Sequence, residues 1–575
     1  MPNLSQIKRQ RMLDFLNKLR EEHRDDDGVL IALGEIESEL NAKKYGLVWE
    51  NHEEAVDVQM HTHIPVFTED ADREITSVPG GAYNFLLEGD NLHSLRLLEK
   101  THRGRINLIY IDPPYNTGNK DFVYQDDKIG RDDGYRHSKW LSFLSARLEI
   151  AQRLLSDTGA IFISIDDNEI ANLRLLCDQI FGEENFVNQI TLLCNPKGRS
   201  QDKYFATCHE YLLVYSKSPL PAGSFSIDKS SEKIEQDYNK EDEGGKYRLL
   251  ELRNTHREFD RSNRPNLYYP IFVNPDNPAG STVSLVQDEH HRLPVYPMWP
   301  DGHEGCWTWG QPLVQKDTHL LVGQRKGRNW KIYRKAYAVT GGAVAKQKMF
   351  SIWREPEYYT EKGQVEFGKI FLGSSKNDFP QPKAVEYIKA IIRTMQDHDG
   401  IVLDFFAGSG TTGQAVLELN NEDRGKRRFI LCTNNEANIC ENITYPRMKT
   451  VISGIREDES QYSDGLPANL KYYRTDFVSK DEEYLSEALM EHIAEMIQLE
   501  HGVKLDGQNY IMILDDDEAD ALAAHWDEYS AVKALYVSKN VLFTTEQNMM
   551  FRDVEIHIIP DYYFNFELRE VGETW

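Results

Sequence analysis

An apolar, β-favouring run, INLIYI at 106–111, stops at Asp112-Pro113-Pro114-Tyr115. At the carboxyl end of a parallel strand, where α/β proteins bind their ligands, these four residues have a specific chemistry. The Asp112 carboxylate accepts a hydrogen bond. The two prolines fix the backbone so that the Pro113 carbonyl points into the pocket as a second acceptor. Tyr115 supplies a flat face for stacking. Two acceptors and a π surface are complementary to the amino group of an aromatic base such as adenine. Adenine N6 is a poor nucleophile because its lone pair is delocalised into the ring. Gripping both of its hydrogens favours a pyramidal nitrogen and frees that pair for attack. The plainer reading is a proline turn that ends a strand.

A second constellation is Asp404-Phe405-Phe406-Ala407-Gly408-Ser409-Gly410-Thr411-Thr412-Gly413, which follows the short apolar run IVL and opens a helical pattern. Glycines let a backbone approach a ligand, and a helix N-terminus offers free N–H donors. Gly408 to Gly413 is a literal G-x-G-x-x-G, so a dinucleotide site stays open. There is no G-K-[ST], which excludes a nucleotide-hydrolysing P-loop. The acid ahead of the glycines, Asp404, and Glu436 at the end of the next strand favour a nucleoside with a charged amino-acid tail over a pyrophosphate.

The elements that must position these groups alternate. From residue 82, strand patterns (YNFLLE, INLIYID, GAIFISID, HEYLLVYSK) are interleaved with helical ones (DNLHSLRLLEK, HSKWLSFLSARLEIAQRLLS, ANLRLLCDQIFG). This predicts a doubly wound α/β sheet. The rhythm lapses over 218–365, a stretch rich in Pro, Gly, Asn and aromatics, and resumes with PKAVEYIKAIIRTM. Expected boundaries are an N-terminal helical region 1–60, a catalytic half 80–217, an inserted module 218–365, a cofactor half 366–475 and an acidic C-terminal α/β domain 476–575. Residues 46–80 read as a connecting segment.

Composition bounds the setting. No window approaches 18 uninterrupted apolar residues, so no membrane span is expected, and the N-terminus lacks the apolar core of a secretion signal. Six cysteines without a C-x-x-C pair argue against a zinc ribbon or a disulfide framework and for a reducing, cytoplasmic compartment. Cys208-His209-Glu210 lacks further ligands at zinc spacing, and no metal is expected. The net charge of −27 is unevenly spread, for residues 476–575 hold 23 Asp+Glu and 6 Lys+Arg. Residues 325–354 hold nine Lys+Arg and no acid. Arg325, Lys326, Arg328, Lys331, Arg334, Lys335, Lys346 and Lys348, interleaved with aromatics, suit phosphate contacts and base stacking. Lys197 and Arg199, on a loop after a strand, are further DNA candidates. The acidic C-terminal region would repel DNA and suggests a dimer or partner contact.

Together, D-P-P-Y and F-x-G-x-G resemble the amino-methyltransferases that use S-adenosylmethionine to methylate DNA bases, in the β-class order with the catalytic motif first. GDNL at 89–92, DPPYNTG at 112–118, SIDDNE at 164–169 and FPQPKAVEYIKAII at 379–392 narrow the resemblance to the Mod subunit of type III restriction–modification systems. That resemblance implies a Rossmann-like, circularly permuted methyltransferase sheet with a target-recognition domain as its insert. It implies a catalytic set of Asp112, Pro113, Pro114 and Tyr115 acting on adenine N6. The implied S-adenosylmethionine contacts are Asp404, Phe406, Ala407, Gly408, Gly410, Thr411, Thr412, Glu436, Phe379, Lys383 and Asp90. Where the family usually has a Thr-Pro-Lys-Pro element, this chain reads Phe379-Pro380-Gln381-Pro382-Lys383-Ala384. Double-stranded DNA, a second Mod copy and a helicase–nuclease restriction subunit are the implied partners. Rival readings are an orphan methyltransferase, a non-catalytic DNA-binding subunit and a dinucleotide oxidoreductase.

Overall fold

The computed structural model describes residues 4–24, 26–41, 49, 54–124, 127–130, 133–199, 201–372, 379, 381–395, 397–560, 563–570 and 572. Two compact units result, one comprising residues 1–224 and 350–575 and the other residues 225–349.

The larger unit is built on an eleven-stranded sheet. Its main strands are β1 (His63–Glu69), β2 (Tyr83–Glu88), β3 (Ile106–Ile111), β4 (Leu155–Ile165), β5 (Phe186–Leu193), β6 (His209–Ser216), β7 (Ile352–Trp353), β8 (Ile401–Asp404), β9 (Arg428–Thr433) and β10 (Asn469–Ser479). They lie in the order β1-β10-β2-β9-β8-β3-β4-β6-β5-β7, with Ile75–Thr76 also against β10. From β10 to β4 all neighbours are parallel, whereas β6 runs antiparallel to both β4 and β5. A parallel strand is covered on both faces and so reads as a continuous apolar run. Phe85, Leu87, Ile109, Ile111, Ile161, Ile163 and Leu403 are accordingly almost wholly buried.

The helices that cover this sheet include α1 (Asn91–His102), α2 (Arg136–Leu154), α3 (Ile170–Phe181), α4 (Val385–Ile392) and α5 (Thr411–Asp423). From β3 the chain crosses through α2 to β4, and from β8 through α5 to β9, moving outward in opposite directions. Right-handed crossovers then place α2 and α5 on opposite faces. The strand order therefore reverses between β3 and β8, which pair directly at Leu108–Val402 and Ile109–Leu403. This is the switch point at which such sheets form a ligand crevice, and Asp112 and the Gly-rich loop both emerge there.

Three sequence expectations shift. The supposed connecting segment 46–80 contains a helix, Ala55–Thr62, and the sheet strand β1, whose Ile64, Val66 and Phe67 are buried. The boundary at 476 falls inside β10, which pairs with β1 through Ser479. Beyond it, Leu485, Leu489, Ile493, Met496, Leu499 and Phe564 join the same core as β2 and β3, so the acidic region belongs to the larger unit. Within it, Tyr510–Ile513, Ala534–Val537 and Glu555–Ile558 form the expected small α/β layer, a three-stranded parallel sheet with a second core of Ile513, Leu522, Leu535, Val537 and Phe551. The region's charge lies on the surface of elements whose apolar faces are shared. Finally, the inserted unit is shorter than 218–365, because the helix Thr360–Ile370 belongs to the larger unit.

The smaller unit is mostly β, with short helices at Ser231–Asp237 and Gln311–Lys316. Its four-stranded sheet comprises Lys240–Asp242, Gly245–Glu251, Asn329–Tyr337 and Leu321–Lys326. Leu252, Tyr269, Ile271, Trp307 and Ile332 form its own core. Trp307 donates its indole N–H to the Tyr269 carbonyl, a packing role.

Candidate active site

Asp112 leaves β3 with its side chain partly exposed, beside Pro113, which is buried. The turn closes because Asn116 adopts φ 55°, which asparagine tolerates better than most residues. Its side-chain amide donates to Glu169 at 2.5 Å, and His137 Nδ1 lies 2.5 Å from the same carboxylate oxygen. Trp140 of α2 donates its indole N–H to the Pro114 carbonyl at 2.7 Å. Both turn limbs are thereby tied to the sheet's helical layer.

Four polar side chains converge above this turn. The Tyr115 hydroxyl is 2.8 Å from Asp112 Oδ1 and 3.1 Å from Glu210 Oε2, with one proton to donate between them. The Lys383 ammonium donates to Glu210 Oε2 at 2.6 Å and to Tyr115 Oη at 2.7 Å, and lies 3.4 Å from Asp112 Oδ1. It lies 5.1 Å from the Tyr115 ring centroid, beyond the hydroxyl at the ring's edge. Burial raises the Asp112 carboxyl above its ordinary range, with Lys383 opposing. Burial also works against charge on Glu210, but the Lys383 ammonium, the Tyr115 hydroxyl and the charge of Arg199 together outweigh it and hold that carboxyl low. Burial likewise opposes the Lys383 charge, yet Asp112 and Glu210 keep it firmly protonated.

Lys383, expected among the cofactor contacts, is thus placed with the Asp112–Tyr115 turn. Glu210 is the residue that sequence reasoning missed. It appeared only in a weak Cys-His-Glu metal pattern, and only the antiparallel return of β6 brings it beside Tyr115.

Across the crevice, Asp404 ends β8 and is 2% exposed. It accepts the Phe406 N–H at 3.0 Å and the Thr412 hydroxyl at 2.5 Å, tying the loop to the first turn of α5. Burial pushes its carboxyl up to about 7, and the charge of Asp112 adds to the rise. Ala407 donates to the Cys432 carbonyl, while Gly408 and Gly410 adopt φ 47° and 78°. A side chain at Gly408 would meet the Phe379 ring at 3.1 Å, so the loop stays bare where Phe379 covers it. Buried Arg447 holds the far side through the Ser409 carbonyl, the Thr411 hydroxyl and Gln414.

Asp90 caps α1 by accepting the Leu92 N–H at 2.7 Å, and it is 3.2 Å from Arg147. Arg147 is fully buried, bonds Glu54 at 2.6 Å, and also bonds Asn91. Asn91 in turn donates to the Phe405 carbonyl at 2.9 Å. Asp90 and Asn91 belong to the GDNL motif at 89–92, whereas Arg147 and Glu54, which complete this brace under the Gly-rich loop, carry no motif. Glu436 is exposed in a short turn, three residues beyond the end of β9 rather than on the strand. Among the described residues, Glu386, Glu418 and Glu422 form a tight acidic cluster, but the Lys389 ammonium bonds all three.

The basic run of the smaller unit folds into a hairpin whose exposed tip carries Arg325, Lys326 and Arg328. Lys346 and Lys348 are exposed on a strand paired with Ser226–Asp228. Arg334 is half-buried on the hairpin's second strand. Two expected DNA contacts are engaged elsewhere: Lys331 pairs with Glu251 at 2.9 Å and Lys335 with Asp242 at 2.6 Å. The linear run holds no acid, but the adjacent strands bring acids to it. Lys197 and Arg199 lie on the loop joining β5 to β6 in the larger unit.

The N6/N4 DNA methylase family matches residues 106–445, from the first residue of β3 past both loops. The chain belongs to the DNA methylase family. Among curated relatives of this methylase, the EcoPI Mod subunit of a type III restriction–modification enzyme from Escherichia phage P1 is 35% identical over 70% of this chain and 65% of its own. The type II methyltransferase M.KpnI of Klebsiella pneumoniae is 38% identical over 68% of this chain and 90% of its own. The StyLTI Mod subunit of Salmonella typhimurium is 31% identical over 72% and 63% respectively. The methylase therefore spans just under two thirds of the two Mod subunits. Among solved structures, the cytosine-N4-specific PvuII DNA methyltransferase aligns over 62% of this chain and 83% of its own at 11% identity, with a TM-score of 0.30, too slight a likeness to carry argument. No helix among the described residues is long and apolar enough to cross a membrane.

Proposed function

We propose that this methylase transfers a methyl group from S-adenosylmethionine to adenine N6 of a base flipped out of duplex DNA, as the modification subunit of a type III restriction–modification system. The observation that carries the reading is the pairing of β3 with β8, which sets Asp112 and Tyr115 against the Asp404–Gly410 loop across one crevice.

The residues present fit the cofactor. The bare backbone at Gly408 and Gly410, the open N-terminus of α5 and the buried Asp404 carboxylate suit a nucleoside bearing positive charge. S-Adenosylmethionine supplies an electrophilic methyl group on a sulfonium. The chain must do the rest. Asp112 and the Pro113 carbonyl take the two N6 hydrogens, orient the amino nitrogen and expose its lone pair. The raised affinity of Asp112 for protons suits it to hold the one that N6 releases. Tyr115, with its hydroxyl tied to Asp112 and Glu210, fixes the plane of the base. Flipping costs a few kcal/mol, and alignment with exclusion of water supplies most of the acceleration. The tip of the 321–337 hairpin, with Arg325, Lys326 and Arg328, serves the phosphates. A second copy and a restriction subunit are the partners this reading entails.

The coverage of M.KpnI favours one alternative, a stand-alone methyltransferase. Single-molecule sequencing of DNA from cells expressing this chain alone separates the two. N6-methyladenine on one strand of a short motif is the expected result. Both strands of a palindrome would favour the stand-alone enzyme. Methylcytosine would reassign the base.

A further inference from the structure

Tyr204 and Phe205 are neighbours in sequence and are 80% and 89% exposed. A single exposed aromatic needs no explanation. Two adjacent rings on a structured loop are less easily dismissed, because nothing in the packing of the larger unit uses them at that exposure.

The loop is held in shape by its own backbone. Cys194 and Asn195 both donate to the Cys208 carbonyl, at 3.0 and 3.1 Å, and Arg199 donates to the Thr207 carbonyl at 3.0 Å. Asp202 accepts the Thr207 N–H at 2.7 Å. Gly198 takes φ 67°, and a side chain there would strike the Ala206 methyl at 2.7 Å, so the two limbs touch. The rings are therefore presented by a closed stem. Lys197 and Arg199 lie exposed on the first limb, and Lys203 is 4.9 Å from the Tyr204 ring centroid.

The register fixes where this stem stands. Leu193 at the end of β5 pairs with His209 at the start of β6, and Tyr211 pairs with Ile165 at the end of β4. Ile163 of β4 pairs with Ile111, the residue before Asp112. The loop thus leaves the sheet at the same carboxyl edge as the catalytic turn. One residue past His209, Glu210 reaches the Tyr115 hydroxyl.

We infer that Tyr204 and Phe205 form a wedge that enters the base stack of duplex DNA and fills the gap left by the flipped adenine, while Lys197, Arg199 and Lys203 hold the flanking phosphates. This rests on the methyltransferase reading above. Flipping removes stacking on both neighbours of the target, and an inserted aromatic ring restores part of it, as inserted side chains do at kinked steps. The wedge acts through the DNA and does not touch the reacting nitrogen, so these are positioning residues.

The test compares wild type with a Tyr204→Ala/Phe205→Ala variant on two duplexes bearing the motif found by sequencing. One is fully paired, and in the other an abasic site faces the target adenine, which lowers the cost of flipping. The variant should lose ten- to a hundredfold in kcat/KM on the paired duplex and stay within about threefold of wild type on the abasic one, with S-adenosylmethionine affinity unchanged. Phe205→Trp should retain most of the activity on paired DNA. Equal loss on both duplexes, or no loss on either, overturns the wedge. Wild type inactive on both overturns the methyltransferase reading itself.

Discussion

The Lys383 ammonium lies 2.6 Å from Glu210 Oε2 and spans the gap between that carboxylate and Asp112. One cation thus serves two carboxylates that would otherwise repel each other. It also binds the Tyr115 hydroxyl, so the pose of that side chain depends on a residue that the sequence places 268 positions away.

Replacing Lys383 by Met should therefore act on both stability and activity. Two partly buried carboxylates lose their counter-charge, and breaking such a pair costs about 3–5 kcal/mol. Adding Glu210→Gln should recover most of that loss by removing the second charge, without restoring methyl transfer. Urea denaturation and methyl incorporation measure the two effects. Additive destabilisation in the double variant would refute the coupling.

Asp404 sets a pH dependence whose sign is fixed by its raised pKa. The folded protein holds this proton up to about pH 7, whereas the ordinary value is 3.8. Its contribution to stability is therefore greatest below about pH 4, declines as pH rises to about 7 and is level above. A bound cation favours the carboxylate, so affinity for S-adenosylmethionine should rise with pH up to about 7, with release of a proton. Titration calorimetry in buffers of different ionisation heat reads that proton directly. Asp404→Asn should abolish the dependence.

The central strands were legible because both of their faces are buried and they read as unbroken apolar runs. The two loops were legible because Pro, Gly and Asp at strand ends are chosen for backbone reasons that leave a local trace. Glu210, Arg147 and Glu54 left none. Their roles depend on the antiparallel β6 and on helix packing, which no local pattern encodes. β1 was overlooked because its apolar run is short and its partner, β10, lies some 400 residues away. The acidic tail misled because charge describes the exposed face of a segment and says nothing of the face that packs.

The basic hairpin should divide into residues that bind phosphate and residues that hold the sheet. Each phosphate contact contributes about 0.9 to the slope of log K against log salt. Arg325→Ala and Arg328→Ala should each reduce that slope by about one. Lys331→Ala and Lys335→Ala, whose ammonium groups already face Glu251 and Asp242, should leave it nearly unchanged. Fluorescence anisotropy with a labelled duplex between 50 and 200 mM salt, as a working range of about fourfold, distinguishes the two groups. A uniform slope change across all four variants would contradict the assignment.

Removing the acidic region should unfold the larger unit, whatever role that region has in assembly. A chain ending at 475 loses the last four residues of β10 and, with them, the pairing to the start of β1. It also loses Leu485, Leu489, Ile493, Met496 and Leu499, each at most 1% exposed and packed in the core that carries β2 and β3. Emptying one large core position costs about 2–5 kcal/mol, and whole domains are stable by only about 5–15 kcal/mol. Five such losses, about 10–25 kcal/mol together, are as large as that margin or larger. The truncated chain should aggregate, show no cooperative thermal transition by circular dichroism and bind no S-adenosylmethionine. A truncated chain that melted cooperatively and kept its cofactor affinity would show instead that the region packs on a core complete without it, and only then would its elution volume report on assembly.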